Sequence, residues 1–312
     1  MRKASGRPPR EAARLAFAVW LGFAVHVFPA AAAPIPAGHD RAFWVALRGH
    51  EFRTVPPESV AALALEAATL LGSTDPQLRD AIGYEALAAW VYRDHALSAP
   101  ELHALFQVLL RNARQGLGGG EDDTLFLRSF SILALTLFAA SDLHQPTLDT
   151  TQFDALVELG AQALATERDL RGYVPDKGWG HATAHCADLL KFLARSAHLR
   201  PAQQRQLVEA IATRTRSAGQ VFVWGEDARL AAALAAIVRR QDVDMAPFST
   251  WFARIASEHE AIWSGPPQPA RYVTERAQLN VLAHLAAELD TDDAGSTAQL
   301  CAALRKLRDT AR

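Results

Sequence analysis

The stretch LFLRSFSILALTLFAA, residues 125–140, decides the fold class of this 312-residue chain. It belongs to the segment 123–140, which is apolar on almost every side at helical spacing. A helix that is apolar all round is buried. We therefore predict a central helix at 123–140 that other helices must cover.

Helix start signals and apolar spacing precede this segment. Residues 57–71 repeat apolar side chains at three- and four-residue intervals, the pattern of an amphipathic helix. Asp75 and Pro76 have the cap and the first-turn proline of the next helix. Ser98, followed three residues later by Glu101, has the spacing of a capping box and predicts a third helix.

Helical spacing continues after the central segment, and strand-like alternation appears only at Gln220–Trp224. The further predicted helices are 151–167, 179–197, one starting at Pro201, 226–239, 246–263, 272–289 and 296–310. About eleven helices joined by short connections predict an all-α fold with antiparallel neighbours. The arrangement we expect is an α-solenoid, a HEAT-like stack of helix pairs with a concave binding face. An α/α toroid or an irregular helical bundle is the alternative.

The N-terminal segment has the composition of a secretory signal peptide. Five basic residues precede an apolar run at 15–28, and small residues follow at 30–33. Residues 1–33 therefore predict a signal peptide, and 34–312 a single periplasmic or secreted helical domain. An uncleaved anchor is the alternative, but the run is short for a transmembrane span. We expect no stable membrane insertion after cleavage.

Charge and cysteine usage narrow the classes of partner. The chain has 32 basic and 34 acidic residues, and residues 1–33 contain five basic and one acidic residue. The remainder has 27 basic and 33 acidic residues, a formal charge of −6. This charge argues against nucleic acid as a partner. Cys186 and Cys301 are the only cysteines. An oxidising compartment permits a disulfide between them, but the sequence does not show whether they meet.

The segment Glu167–Asp188, ERDLRGYVPDKGWGHATAHCAD, concentrates the residues that carry chemistry. We predict an irregular loop followed by a helix that begins near Trp179. His181, His185 and Asp188 then share one face of the helix at i, i+4 and i+7. This spacing predicts a divalent metal site with two imidazole ligands and one carboxylate. Further ligands are available from Glu167, Asp169, Asp176, Glu226 or Asp227.

The same residues allow catalysis without a metal. His181 or His185 can act as a general base that Asp188 or Asp227 orients, which predicts a hydrolase or a lyase. The zinc protease motif is excluded because residues 182–184 lack its glutamate. Charged and aromatic side chains nearby can bind a substrate, sugars among them. This predicted ligand-binding set is Asp169, Arg171, Tyr173, Trp179, Arg128 and Asp227, with Trp224 beside them.

A structural or scaffold role competes with chemistry. Asp123, Arg128, Asp169 and Arg171 can form an internal ion-pair network in which buried charges find partners. The concave face would then bind a protein, a peptide or a small molecule. Trp44, Trp251 and Trp263 are further aromatic candidates for that face.

Three groups of residues resemble the bacterial family catalogued as domain of unknown function 2785. The first contains Asp123, Phe126, Arg128, Ser129, Phe130 and Ser131. The second contains Glu167, Asp169, Arg171-Gly172-Tyr173, Lys177-Gly178-Trp179, His181-Ala182, Ala184-His185 and Ala187-Asp188. The third contains Trp224, Glu226-Asp227 and Arg229-Leu230. The resemblance covers most of residues 45–290. It implies an all-helical, HEAT-like fold and no known activity.

Overall fold

A computed structural model describes residues 38–53, 59–290 and 295–310. The predicted signal peptide at 1–33 lies outside these residues. The described part of the chain is built from helices and two very short strands. The all-α prediction is therefore confirmed.

Twelve α-helices lie within the described ranges, and a two-stranded hairpin stands between the sixth and the seventh. The helices are α1 Arg41–Gly49, α2 Val60–Leu70, α3 Glu85–Leu87, α4 Ala99–Arg114, α5 Thr124–Asp142, α6 Thr150–Thr166, α7 Ala182–Arg195, α8 Pro201–Ser217, α9 Glu226–Val238, α10 Ala246–Trp263, α11 Pro269–Leu289 and α12 Gly295–Thr310. π-helical turns at Gln77–Tyr84 and Ala88–Arg93 flank α3, so that 77–93 is one continuous helical segment. The strands are β1 Tyr173–Val174 and β2 Gly178–Trp179.

Several helices begin where the sequence predicts. The Ser98 amide and hydroxyl both donate to Glu101 in the capping box of α4. The amide of Gln77 donates to Asp75 at 2.8 Å at the start of the 77–93 segment. These side chains satisfy amides that have no partner within the helix.

Alternate helices lie side by side in the central part of the fold. α7 packs against α5 on one flank and against α9 on the other. Ser129 of α5 contacts His185 of α7, and Asp188 of α7 contacts Arg229 of α9. Each contact joins residues in the first halves of its helices. α5, α7 and α9 therefore begin at the same end of the molecule, and residues of this end form the candidate site.

The hydrophobic core lies between α5, α7 and α9 and the helices that pack around them. Trp44, Trp90 and Trp251 are fully buried or nearly so. Within the described residues α5 is the one helix with the length and apolarity of a membrane span. Its most apolar stretch is 83% buried inside the fold, as expected of the central helix that the sequence predicts.

Two local details differ from the sequence pattern. Gln220–Trp224 is not a strand; the strands are those of the β1–β2 hairpin, within the predicted irregular loop. The helix that was expected from Trp179 begins three residues later, at Ala182. The intervening residues are held by the hairpin and by the loop that precedes it.

Candidate functional site

The loop after α6 begins with a buried ion pair. Glu167 is 4% exposed, and its carboxylate accepts hydrogen bonds from Nε and Nη2 of Arg128, at 2.5 and 3.1 Å. The same carboxylate accepts the amides of Arg168 and Asp169. Glu167 therefore connects α5 to the loop and sets the direction in which the chain leaves α6.

A second carboxylate fixes the next turn of the loop. Asp169 is fully buried and accepts hydrogen bonds from the amide, Nε and Nη2 of Arg171. Arg171 also donates to the carbonyl of Asp122 at 2.9 Å. Of the predicted network, Asp169 and Arg171 pair with each other, whereas Arg128 pairs with Glu167. Asp123 pairs instead with Lys177, at 2.7 Å.

The β1–β2 hairpin projects from this loop. Tyr173 pairs with Trp179 across the two strands, and Asp176 and Gly178 have positive φ angles of 61° and 77°. A side chain at Gly178 would meet Pro76 at 3.0 Å. Glycine is required there for both conformation and space.

Three half-exposed aromatic side chains form what we call the aromatic platform: Tyr173, Trp179 and Trp224, exposed by 45%, 39% and 47%. Their ring centroids lie 5.2 to 6.1 Å apart, and both contacts of Trp179 are edge-to-face. A Cβ at Gly172 would lie 2.2 Å from Cδ1 of Trp224. The loop must therefore have glycine at 172 for the platform to close.

His181 lies beneath the platform. Its ring stacks on Trp179 with centroids 4.6 Å apart, and its Nε2 donates to the carbonyl of Trp224 at 3.1 Å. Its φ of 52° is left-handed, and its amide donates to the carbonyl of Arg171. Burial, and then the charge of Arg229, lower the pKa of His181 to about 4. The imidazole is therefore neutral at neutral pH.

His185 is held in one tautomer by Ser129. The Ser129 hydroxyl donates its single proton to the carbonyl of Gly180 at 2.5 Å. It must then accept at 2.8 Å from Nδ1 of His185. Burial, and then the charges of His181 and Arg229, lower the pKa of His185 well below its usual value. His185 is therefore a neutral imidazole whose lone pair is on Nε2.

The Nε2 atom of His185 is unpaired in the described part of the chain and barely accessible. It has no hydrogen-bond partner among the described residues, although the side chain is only 5% exposed. The atom is nevertheless not fully sealed from solvent. The atom therefore presents an acceptor to a ligand.

Arg229 and Tyr84 complete the polar part of the site. Nη1 of Arg229 donates to Asp188 at 2.5 Å, and Lys191 donates to the other oxygen of Asp188 at 2.9 Å. Burial, followed by the charges of Glu85 and Asp188, raises the pKa of Tyr84 well above its usual value. Tyr84 is thus a neutral phenol that packs against the hydrophobic core, within electrostatic range of Asp188 and Arg229.

The predicted three-ligand metal site is not formed. The carboxylate of Asp188 is bound by Lys191 and Arg229 rather than by an imidazole. His181 is the N-cap of α7, and its carbonyl accepts the amide of His185, but its left-handed backbone turns its ring onto Trp179. In the described ranges no three His, Cys, Asp or Glu side chains converge in a way that holds a metal ion. Nor does Asp188 or Asp227 orient either imidazole: Nδ1 of His185 bonds Ser129, and Nε2 of His181 bonds the carbonyl of Trp224.

Other predicted site residues have different surroundings. Arg128 and Asp169 are fully buried in ion pairs. Asp227 accepts the amide of Ala228 and lies 3.5 Å from His284. Of the additional aromatic candidates, Trp44 and Trp251 are core residues, and Trp263 is 66% exposed near Tyr272. Cys186 and Cys301 are unpaired.

Comparison with known proteins identifies the family. A family model described as a protein of unknown function, DUF2785, matches residues 115–287, more than half of the chain. The chain belongs to the DUF2785 family. The match contains the loop, the hairpin, the platform and the starts of α5, α7 and α9. No curated protein and no solved structure matches the chain.

Three contributors to this DUF2785 site were not in the predicted set: Tyr84, Ser129 and Arg229. Tyr84 lies about a hundred residues before His181 and outside the family match, so no local pattern links them. Trp224, which the sequence places beside the predicted ligand-binding set, does lie with Tyr173 and Trp179.

Proposed function

We propose that this DUF2785 protein is a saccharide-binding protein and that the aromatic platform is its binding surface. The observation that carries the proposal is the mutual contact of three rings that each stay about 40–50% exposed. Aromatic side chains exposed in this way lose favourable burial unless a ligand covers them. The apolar face of a sugar ring has the size and flatness of a single indole.

The spacing of the rings argues for stacking on their outer faces. A cage for a quaternary ammonium group surrounds the cation with separated rings. Tyr173, Trp179 and Trp224 instead contact one another at 5.2 to 6.1 Å. There is consequently no room for a ligand between them, and the ligand must lie on the surface that they share.

The polar groups around the platform serve mainly to build it. Arg128, Glu167 and Asp169 are sealed in ion pairs, and His181 supports Trp179. This arrangement favours a binding role over catalysis. The N-terminal segment supports the further proposal that binding takes place in the periplasm or outside the cell.

A hydrolase or lyase is the second candidate, and one observation favours it. Nε2 of His185 is a lone pair without a partner among the described residues, on a neutral imidazole that can act as a general base. This activity would be supported if the wild type releases reducing ends from a bound saccharide. The variant His185→Gln should then bind the saccharide but release none. Binding without any product would leave the protein as a binder.

The proposal is tested with an array of neutral and acidic oligosaccharides, followed by titration of the ligands that are retained. Trp179→Ala and Trp224→Ala are each expected to weaken binding at least ten-fold, about 1.4 kcal/mol. Trp263→Ala is the matched control, since Trp263 is exposed outside the platform. Failure of the wild type to retain any saccharide would overturn the proposal, as would equal losses in all three variants.

A further inference from the structure

Arg229 lies within the candidate site with part of its guanidinium unused. Nη1 is paired with Asp188, but Nε and Nη2 have no hydrogen-bond partner among the described residues. The side chain is 41% exposed. A guanidinium with two free donors can bind a carboxylate with two parallel hydrogen bonds.

The surroundings of Arg229 favour a negatively charged group. Asp188 neutralises one of its two cationic neighbours, Lys191 and Arg229, so that these three side chains have one net positive charge. The positive charge of Arg229 also acts on both imidazoles, because it lowers the pKa of His181 and that of His185. One net charge matches a carboxylate better than a doubly charged phosphate.

The acidic residues at the start of α9 form no hydrogen bond with Arg229. Glu226 is 3% exposed, accepts the amide of Trp224 and lies 3.8 Å from Nε2 of His181. Asp227 accepts the amide of Ala228 and approaches His284. The starts of α7 and α9 also present the positive ends of their helix dipoles, which weakens the field of these carboxylates.

Arg229 and the aromatic platform are linked through the start of α9. Arg229 lies in the first turn of α9, and its amide donates to the carbonyl of Gly225, the residue after Trp224 of the platform. We infer that the ligand is an acidic saccharide, one whose sugar rings have a carboxylate, and that Arg229 binds this carboxylate while a ring stacks on the platform. Nε2 of His185 then accepts a hydrogen bond from a sugar hydroxyl. This inference rests on the proposed saccharide binding and adds the charge of the ligand.

The test compares each acid with its own neutral counterpart. The probes are tetramers of galacturonic, glucuronic and mannuronic acid and the same tetramers after reduction of their carboxyl groups. Affinity is measured by titration calorimetry with the full chain. At least one acid is expected to bind ten-fold or more tightly than its reduced counterpart, with a preference that falls as salt is raised.

Arg229→Gln is expected to remove this preference. Arg239→Gln is the matched control, since Arg239 follows α9 directly, is 41% exposed and forms an ion pair with Glu288. If circular dichroism shows that Arg229→Gln is misfolded, Arg229→Lys retains the charge but loses the fork and should reduce the preference. Equal binding of acids and reduced tetramers, or a preference that survives loss of Arg229, would overturn the inference and leave saccharide binding intact. Binding of neither kind would overturn both.

Discussion

Acid should destabilise this protein through His181, and the size of the effect follows from its surroundings. The ring is 7% exposed and lies between Trp179 and the carbonyl of Trp224, and its pKa is lowered from 6.5 to about 4. His181 therefore takes up a proton near pH 6.5 in the unfolded chain but only near pH 4 in the folded protein. Stability is fully present above 6.5 and is lost as the pH falls through that window.

The magnitude can be worked out for a change from pH 7 to pH 5. A group with these two pKa values reduces the free energy of unfolding by about 2 kcal/mol over that interval. Because the pKa of His185 is lowered in the same direction, its contribution has the same sign. The sum is a large part of the stability of a typical domain, about 5–15 kcal/mol.

The assay is urea unfolding followed by circular dichroism at pH 7, 6 and 5 and constant ionic strength. Asparagine tolerates the left-handed backbone at 181 and cannot take up this proton. His181→Asn should therefore lose about 2 kcal/mol of the wild-type pH dependence between pH 7 and 5. His95→Asn is the matched control, because His95 also has positive φ but is exposed.

Comparison of the variants removes the contributions of the titrating groups whose pKa does not depend on His181. His185 is the exception, because the charge of His181 helps to lower its pKa. If His181→Asn and the wild type show the same pH dependence within a few tenths of a kcal/mol, the imidazole is solvated in the folded protein. That result would refute the stacked, neutral position of His181 beneath the platform.

Three more outcomes are expected. Gly172→Ala should displace Trp224, because the new Cβ would lie 2.2 Å from its Cδ1, and should change tryptophan fluorescence and weaken saccharide binding. Removing one charge of the buried Arg128–Glu167 pair, as in Arg128→Met, should cost about 3–5 kcal/mol in urea unfolding, and the double change to Arg128→Met with Glu167→Gln should recover part of it. Cys186 is buried with its pKa raised to about 12, so a disulfide reagent should modify at most one thiol in the native protein and two in denaturant.

Local signals in the sequence predict the helices well. Ser98 with Glu101 and Asp75 with Pro76 each specify a helix start through contacts within a few residues. Such contacts depend little on the rest of the fold. Apolar spacing likewise predicts the buried central helix, since burial on all sides requires apolar residues on all sides.

The site was harder to predict because distant residues decide its geometry. The spacing of His181, His185 and Asp188 is correct for one helical face, but His181 is outside the helix. Its left-handed backbone is held by the carbonyl of Arg171. Arg229, 41 residues away, binds the carboxylate that was expected to orient an imidazole. Periodicity gives the face of a helix but not the partner that a distant segment supplies.

The buried charges of the central motif make sense as the support of the platform. Burying ions costs several kcal/mol each, and apolar replacements of buried ion pairs are often neutral or stabilising. Helix packing alone therefore does not account for Glu167 and Asp169. Their carboxylates accept backbone amides of the loop, which an apolar side chain cannot do. Those hydrogen bonds fix the backbone that leads to Tyr173 and Trp179, so under the proposed saccharide binding the charges would act without touching the ligand.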